Sequence, residues 1–186
     1  MDSAKLIDIV FPYSQQIRSE LEWFCAKLDQ WKPRRVLEIG RWSGGTTAIL
    51  AAYSDQVVSV DIKNRLEQAF DDPHYLKLVG KKNIIVLEAN SQLPETAWAV
   101  NVANRNLPYD LVFIDGAHED DFVRHDWLTY GTLAPIVAFH DIRGYEDDAL
   151  IPPNFGPPKL WRELKQQYRT EEVVHSIAGG IGVVYK

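Results

Sequence analysis

The sequence predicts an α/β fold in which helices cover both faces of a mostly parallel sheet that ends in an antiparallel hairpin. Three observations support this prediction. Short apolar runs alternate with helix-like stretches, the runs are apolar at nearly every position, and the chain ends in two strand-like segments around a glycine pair. Such alternation is typical of a parallel sheet wrapped by helices, and continuous apolar runs are typical of strands buried on both faces.

The individual elements follow from these patterns in chain order. Parallel strands are predicted at residues 36–39, 57–60, 84–87, 111–114 and 136–139. A helix is predicted at residues 159–168, followed by strands at 172–175 and 181–185 that are joined through Ala178, Gly179 and Gly180. The sheet would therefore contain seven strands.

Residues 1–32 are predicted to form an N-terminal helical segment. Ser14 can cap a helix that runs to about Gln30, and Pro33 closes it. Apolar residues recur on one face of this helix at helical spacing. We expect the helix to cover the sheet edge or a ligand cleft, and a homodimer surface is the alternative.

Length and composition limit the class of protein. The 186 residues predict one domain over residues 1–186, in which the proline-rich stretch 143–158 serves as a substrate or lid loop. A net charge of −6 argues against a non-specific nucleic-acid binder. The single cysteine, Cys25, excludes an intramolecular disulfide and a cysteine-rich zinc site. No apolar run is long enough to cross a membrane and no secretory signal is visible, so a cytoplasmic location is expected.

A glycine turn follows the first predicted strand. Gly40 and Gly44 stand between this strand and a helix, where glycines let the backbone approach a ligand. Their spacing matches neither the dinucleotide fingerprint nor a P-loop. Glu38 would repel a pyrophosphate but could hold a cationic amino group. Asp61, at the end of the second strand, is placed to accept two hydrogen bonds from ribose hydroxyls, with a helix cap as the alternative.

Polar side chains also follow the fourth and fifth strands. Asp115 and His118 come after the fourth strand, and His140 and Asp141 after the fifth. Ligands of open parallel sheets bind outside the carboxyl ends of the strands, so these residues should converge beside Gly40. Carboxylate and imidazole groups suit a divalent ion such as Mg²⁺ or Mn²⁺.

The glycine turn with Glu38 and Asp61 resembles the cofactor site of class I S-adenosylmethionine-dependent methyltransferases, over about residues 33–186. The resemblance implies their Rossmann-like fold, with seven strands of which the last is antiparallel, and S-adenosylmethionine as cofactor. Asn90 and Ser91, after the third strand, match the stretch that borders the adenine, with a helix cap as the alternative. The implied cofactor-binding residues are Glu38, Gly40, Arg41, Trp42, Ser43, Gly44, Thr46, Asp61, Asn90, Ser91, Asp115 and His118.

The residues after strands four and five resemble those of a narrower subgroup. Metal-dependent sugar O-methyltransferases of macrolide pathways, and the proteins named for cephalosporin hydroxylase, share this pattern. The resemblance implies Asp115, His140 and Asp141 as metal ligands. The first residue of the pair is typically acidic in the characterised enzymes, so His140 is a departure and its role as ligand, base or neither stays open. His118 is a second candidate base, because a neutral imidazole can take a hydroxyl proton near neutral pH.

These expectations combine into one functional hypothesis. The protein would transfer a methyl group from S-adenosylmethionine to an oxygen of a small molecule, such as a sugar or natural-product hydroxyl. Asp115, His118 and His140 are the candidate catalytic residues, with or without a divalent metal. A metal-independent methyltransferase and a non-catalytic S-adenosylmethionine-binding module are the alternatives. A nicotinamide oxidoreductase is disfavoured by Glu38 and by the spacing after Gly40.

Overall fold

A seven-stranded sheet runs through the computed structural model, which describes residues 2–65, 72–80, 82–144, 154–174 and 179–186. The strands are β1 (Arg35–Ile39), β2 (Gln56–Asp61), β3 (Ile84–Glu88), β4 (Leu111–Ile114), β5 (Ile136–Arg143), β6 (Arg169–Val173) and β7 (Gly179–Tyr185). Their order is β3-β2-β1-β4-β5-β7-β6, and only β7 runs antiparallel to its neighbours. The predicted fold class is confirmed.

Helices cover both faces of this sheet. They are α1 (Ser3–Val10), α2 (Arg18–Trp31), α3 (Gly45–Tyr53), α4 (Pro73–Val79), α5 (Pro94–Ala103), α6 (Asp120–Thr129) and α7 (Pro157–Gln167). Short 3-10 turns lie at Phe11–Tyr13 and Gly131–Leu133. None of the described helices has the length and hydropathy needed to cross a membrane.

The core consists of two apolar clusters, one on each face of the sheet. Helices α1 to α4 contribute to the first cluster, and α5 to α7 to the second. Neighbouring strand residues divide between them, as Val36 belongs to the first cluster and Leu37 to the second. Successive side chains of a strand point to opposite faces, so both faces need apolar residues. This explains the continuous apolar runs in the sequence.

The predicted start of the N-terminal helix is wrong. Ser14 caps no helix, because its hydroxyl accepts the backbone amide of Gln16 (3.2 Å) inside a turn. Helix α2 begins at Arg18, and the carboxylate of Glu20 accepts the amide of Ile17 (3.1 Å) in place of the predicted serine cap. The chain before the turn forms α1, a separate short helix that the sequence pattern did not reveal.

Other boundaries also move. Strand β5 extends to Arg143 because its last residues pair with β7, so His140 and Asp141 lie within the strand rather than after it. Helix α7 starts at Pro157, since proline suits a first helical position, which shortens the predicted 143–158 loop. Residues 145–153 of that loop lie outside the described residues. Strand β6 ends at Val173, and residues 175–178 of the predicted hairpin are likewise not described.

Candidate active site

A cavity of about 470 Å³ opens at the carboxyl ends of the parallel strands. Open α/β sheets bind ligands at this edge, and the volume suits a small molecule. Most of the residues predicted for the site line the cavity: Gly40, Arg41, Trp42, Thr46, Asp61, Asn90, Ser91, Asp115 and His118.

Gly40 brings the ends of β1 and β4 into contact. Its φ of +89° is unfavourable for other residues, and a Cβ atom there would lie 1.9 Å from the carbonyl oxygen of Asp115. Its amide donates to the carbonyl of Val60 (2.9 Å). The turn therefore passes between the ends of β1 and β4, where residue 40 has no room for a side chain. Gly40 itself lines the cavity.

The carboxylate of Asp61 holds the glycine turn in place. Its Oδ2 accepts the amides of Arg41 (2.9 Å) and Trp42 (2.8 Å), and its Oδ1 accepts the amide of Lys63 (3.0 Å). A carboxylate offers about four lone-pair sites, so roughly one stays available to a ligand. The expected pair of ribose hydrogen bonds thus reduces to one in this conformation. The alternative of a helix cap finds no support, because residues 62–65 form no helix.

Arg41 and Trp42 follow Gly40 in the turn, and their side chains differ in exposure. The guanidinium of Arg41 is buried and donates to the carbonyls of Ser59 (2.9 Å) and Lys63 (3.3 Å). Trp42, with a φ of +51°, is instead half exposed at the cavity wall. The guanidinium of Arg65 lies 3.7 Å from the centre of its ring. Trp42 is therefore a wall of the cavity and not a core residue.

Three predicted cofactor residues, Glu38, Ser43 and Gly44, do not line the cavity. Glu38 is fully buried, and its Oε2 accepts the hydroxyls of Thr47 and Ser59, each at 2.5 Å. Its Oε1 has no partner among the described residues. Burial raises the pKa of Glu38 to about 7, although the two hydroxyl hydrogen bonds lower it. Glu38 thus links β1 to Ser59 of β2 and to Thr47 of α3, and its side chain does not line the cavity.

Asn90 and Ser91 form a turn between β3 and α5. The side-chain oxygen of Asn90 accepts the amide of Gln92 (3.0 Å), and the carbonyl of Ser91 accepts the hydroxyl of Tyr130 (2.7 Å). Neither residue is the N-cap of α5, which is Leu93. The carbonyls of Asn90 and Ser91 are therefore both engaged, whereas no hydrogen bond among the described residues uses the side-chain amide nitrogen of Asn90, which can face a base.

Asp115, His140 and Asp141 form the cluster predicted from the sequence, since their donor atoms all lie within 4.8 Å of one another. The Nδ1 atom of His140 is 3.4 Å from a carboxylate oxygen of each aspartate. His118 joins them, with its Nε2 atom 3.2 Å from Asp141 and 3.8 Å from Asp115. The convergence of strands β4 and β5 at one edge is thus confirmed.

An irregularity in β5 makes this cluster possible. Adjacent strand residues normally point to opposite faces, so His140 and Asp141 should diverge. Asp141 instead has a φ of +57°, and the pairing of β5 with β7 shifts register between His140 and Arg143. Such a bulge redirects a side chain, and a non-glycine residue at positive φ is strained. The strain thus brings the Asp141 carboxylate back to His140.

The charges of the cluster compensate one another. Burial works against ionisation of Asp115, but the charge of His140 and hydrogen bonds from both histidines lower its pKa. Burial also opposes protonation of His140, yet Asp115, Asp141 and Glu20 raise its pKa well above the usual value. The hydrogen bond with Asp115 raises the pKa of His118. The carboxylates of Glu20, Asp115 and Asp141 therefore favour positive charge on the histidines of the cluster.

Two residues that the sequence analysis missed hold the cluster from α2 and the turn before it. Gln16 donates to Asp115 (2.7 Å) and accepts the hydroxyl of Thr46 (2.8 Å). Glu20 is buried, accepts the amide of Gly180 (2.6 Å), and places an oxygen 3.3 Å from Nε2 of His140. Glu20 could have been found as a charge on the apolar face of its helix, whereas Gln16 carries no such signal.

The sequence belongs to a recognisable family. Residues 37–142, more than half of the chain, match the family model described as a methyltransferase domain. No curated protein matches the sequence significantly.

Three solved structures with a similar fold are described as methyltransferases. The O-methyltransferase from Bacillus cereus in complex with SAH has a TM-score of 0.68 and 15% identity, covering 100% of this chain and 92% of its own. TomG from Streptomyces achromogenes, an O-methyltransferase of tomaymycin synthesis in complex with SAM, has a TM-score of 0.64 and 14% identity, covering 98% and 88%. MycE, a methyltransferase of the mycinamycin pathway in complex with Mg and SAH, has a TM-score of 0.66 and 17% identity, covering 100% and 54%.

At these identities the structural likeness establishes the fold, and the match to the family model establishes the family. Together they confirm the prediction of a class I S-adenosylmethionine-dependent methyltransferase. The chain belongs to the methyltransferase domain family.

Proposed function

We propose that the protein transfers the methyl group of S-adenosylmethionine to a hydroxyl oxygen of a small molecule, at a site that also holds a divalent ion. One observation carries the proposal. The glycine turn and Asp61 line the same cavity as Asp115 and His118, so a methyl donor and a proton acceptor can lie side by side. Holding two reactants in this way supplies a large part of a catalytic effect.

The cofactor end of the cavity is built from backbone and a few polar side chains. The remaining lone pair of Asp61 would accept one ribose hydroxyl, and Asn90 and Ser91 would border the adenine. The half-exposed indole of Trp42 would cover the cofactor from the wall of the cavity. S-adenosylmethionine supplies the reactive methyl group when bound, and the protein supplies orientation.

His118 is the residue that we propose as the general base. Its side chain is 39% exposed and lines the cavity, whereas that of His140 is 6% exposed and does not. Both nitrogens of His140 already face carboxylates, those of Glu20, Asp115 and Asp141. His118 is therefore placed to take a proton from an acceptor hydroxyl, and Asp141 is placed to hold the resulting charge.

Asp115, His140 and Asp141 would hold the metal ion. The donor set fits, because two carboxylates and an imidazole nitrogen within 4.8 Å suit Mn²⁺, and the carboxylates suit Mg²⁺. Both aspartates place an oxygen 3.4 Å from Nδ1 of His140 and raise its pKa, so this position favours positive charge, which a cation could supply. A bound divalent ion would make an acceptor hydroxyl more acidic.

The small-molecule class of the acceptor and the cytoplasmic location stay predictions.

Calorimetric titration with S-adenosylhomocysteine tests the cofactor part of the proposal. Micromolar binding is expected, with no binding of NAD. The variant Asp61→Ala should weaken binding by about tenfold or more, through both the lost ribose contact and the loosened turn. Unchanged affinity in this variant, or tighter binding of NAD, would refute this part.

Titration of Mn²⁺ into the protein loaded with S-adenosylhomocysteine tests the metal site. Asp141→Asn should abolish the heat of Mn²⁺ binding and leave the affinity for S-adenosylhomocysteine intact. His118→Gln should abolish methyl transfer in a screen of hydroxyl acceptors, and His125→Gln on α6 is the matched control. Metal binding that survives Asp141→Asn, or full activity of His118→Gln, would count against the assigned roles.

A further inference from the structure

The carboxylate of Glu20 lies behind the candidate metal site, next to the ring of His140. One of its oxygens is 3.3 Å from Nε2 of the ring, whereas Nδ1 of the same ring faces the two aspartates, Asp115 and Asp141. The side chains of Glu20 and His140 are only 1% and 6% exposed. The imidazole is therefore held from two sides, with one nitrogen directed to Glu20 and the other to the aspartates.

The backbone around Glu20 fixes its carboxylate in turn. Its Oε1 accepts the amide of Gly180 (2.6 Å) near the start of β7, and its Oε2 accepts the amide of Ile17 (3.1 Å) just before α2. Gly179 approaches the same carboxylate so closely that a Cβ atom there would lie 3.1 Å from Oε1. A buried carboxylate that accepts two backbone amides has little freedom to move, so it can set the orientation of the ring beside it.

The two nitrogens of an imidazole have different roles when the ring binds a metal ion. The ion is bound by a nitrogen that carries no proton, and the other nitrogen donates its N–H group to a partner that fixes the ring and its tautomer. An ionised carboxylate can only accept a hydrogen bond, so the nitrogen that faces Glu20 is the one that carries the proton. Nδ1, on the side of the aspartates, is then the nitrogen that can bind an ion.

Nδ1 of His140 also lies at a suitable distance from the other two ligand atoms. It is 3.4 Å from Oδ1 of Asp115 and 3.4 Å from Oδ2 of Asp141. The second oxygen of Asp115 accepts the side-chain amide of Gln16 (2.7 Å), which leaves Oδ1 for an ion. Neighbouring ligands of an octahedral ion such as Mg²⁺, each about 2.1 Å from the ion, lie about 3 Å apart. The three atoms are thus close to the spacing that one such ion requires.

We propose that Glu20 is a positioning residue of the metal site, which fixes the ring of His140 so that Nδ1 binds the ion. This inference rests on the proposed metal site and adds the group that orients one of its ligands. Glu20 is not itself a ligand, because it contacts the ring at Nε2, on the side away from the aspartates. With both nitrogens engaged in this way, His140 serves as a ligand, and His118 remains as the general base.

Titration of Mn²⁺ into the protein loaded with S-adenosylhomocysteine tests this role in a double-mutant cycle. Glu20→Gln and His140→Gln should each weaken Mn²⁺ binding about tenfold or more. Adding Glu20→Gln to His140→Gln should change the affinity about twofold or less, because Glu20 acts through the ring. Glu22→Gln removes the same charge from an exposed position of α2 and is the matched control, with unchanged affinity for Mn²⁺. Retained binding of S-adenosylhomocysteine shows that each variant is folded.

Pulsed electron paramagnetic resonance of bound Mn²⁺ tests which atom binds the ion. A signal from a coordinated imidazole nitrogen is expected in the wild type, and it should be absent in His140→Gln and weakened in Glu20→Gln. A merely structural role of Glu20 would lower the stability of the protein without changing this signal.

Two kinds of contrary result can be distinguished. A wild type that binds no Mn²⁺ would overturn the proposed metal site together with this inference. Mn²⁺ bound without a nitrogen signal, an unchanged Mn²⁺ affinity in Glu20→Gln, or an equal loss from Glu20→Gln with and without His140 would overturn the inference and leave the metal site standing.

Discussion

The buried carboxyl group of Glu38 predicts a specific pH dependence of stability. Burial raises its pKa from 4.5 to about 7, which disfavours the ionised form in the folded state. The destabilisation is absent below the unfolded pKa and is complete above the folded pKa. A shift of this size corresponds to about 3.5 kcal/mol in the free energy of unfolding, at about 1.4 kcal/mol per pKa unit.

The variant Glu38→Gln removes this titration and keeps most of the local contacts. Its amide oxygen can still accept the hydroxyls of Thr47 and Ser59, while its NH₂ group takes the place of the unpartnered Oε1 atom. The unpaired donor costs about 1–3 kcal/mol at any pH. The change of stability with pH is therefore the informative measurement, rather than its value at one pH.

Urea denaturation of both proteins between about pH 5 and pH 8 measures this change. As the pH rises over this range, the free energy of unfolding of Glu38→Gln should increase by about 2–3 kcal/mol relative to that of the wild type. Glu88→Gln, at the exposed end of β3 two strands away, is the control and should show no such gain. A difference between Glu38→Gln and the wild type that stays constant with pH would refute the reasoning.

Three further predictions concern the residues that support the cavity. Gly40→Ala places a Cβ atom 1.9 Å from the carbonyl of Asp115, so calorimetry should find binding of S-adenosylhomocysteine lost; retained micromolar affinity would contradict the turn geometry. Gln16→Ala removes the amide donor to Asp115 and the acceptor of the Thr46 hydroxyl, so urea denaturation should show a loss of about 1–3 kcal/mol. The exposed Gln15→Ala should cost less than about 0.5 kcal/mol. Glu20→Gln turns an acceptor of hydrogen bonds into a partial donor, so it should also cost about 1–3 kcal/mol in the same assay, and a stability equal to the wild type would show that the link to β7 is not needed.

Much of the site could be predicted because it depends on strand ends. Asp61 and Asp115 directly follow apolar runs, His118 comes three residues after Asp115, and parallel strands bring their carboxyl ends to one edge. The sequence also places Glu38 in this region, but it does not show which way the side chain points. A side chain inside a strand faces either the core or the ligand, and only the positions of Thr47 and Ser59 show that it faces the core.

Helix and strand boundaries were harder to predict, because they depend on contacts distant in sequence. Ser14 has the chemistry of an N-cap, yet the turn around it uses its hydroxyl for Gln16, and α2 begins later. The end of β5 is set by pairing with β7, which local propensity does not report. Strand β6 is polar at most positions and therefore lacks the apolar run by which a strand is recognised.

The sequence alone determined the order of the strands, the sheet edge that carries the site, and the family. These features depend on local patterns: apolar runs, a glycine turn, and polar residues after strands. Only the tertiary structure decided which side chains meet. The approach of Gln16 and Glu20 to the Asp115 and His140 cluster joins residues about a hundred positions apart. The positive φ of Asp141 occurs where the pairing of β5 with β7 shifts register, and the apolar run of β5 gives no sign of it.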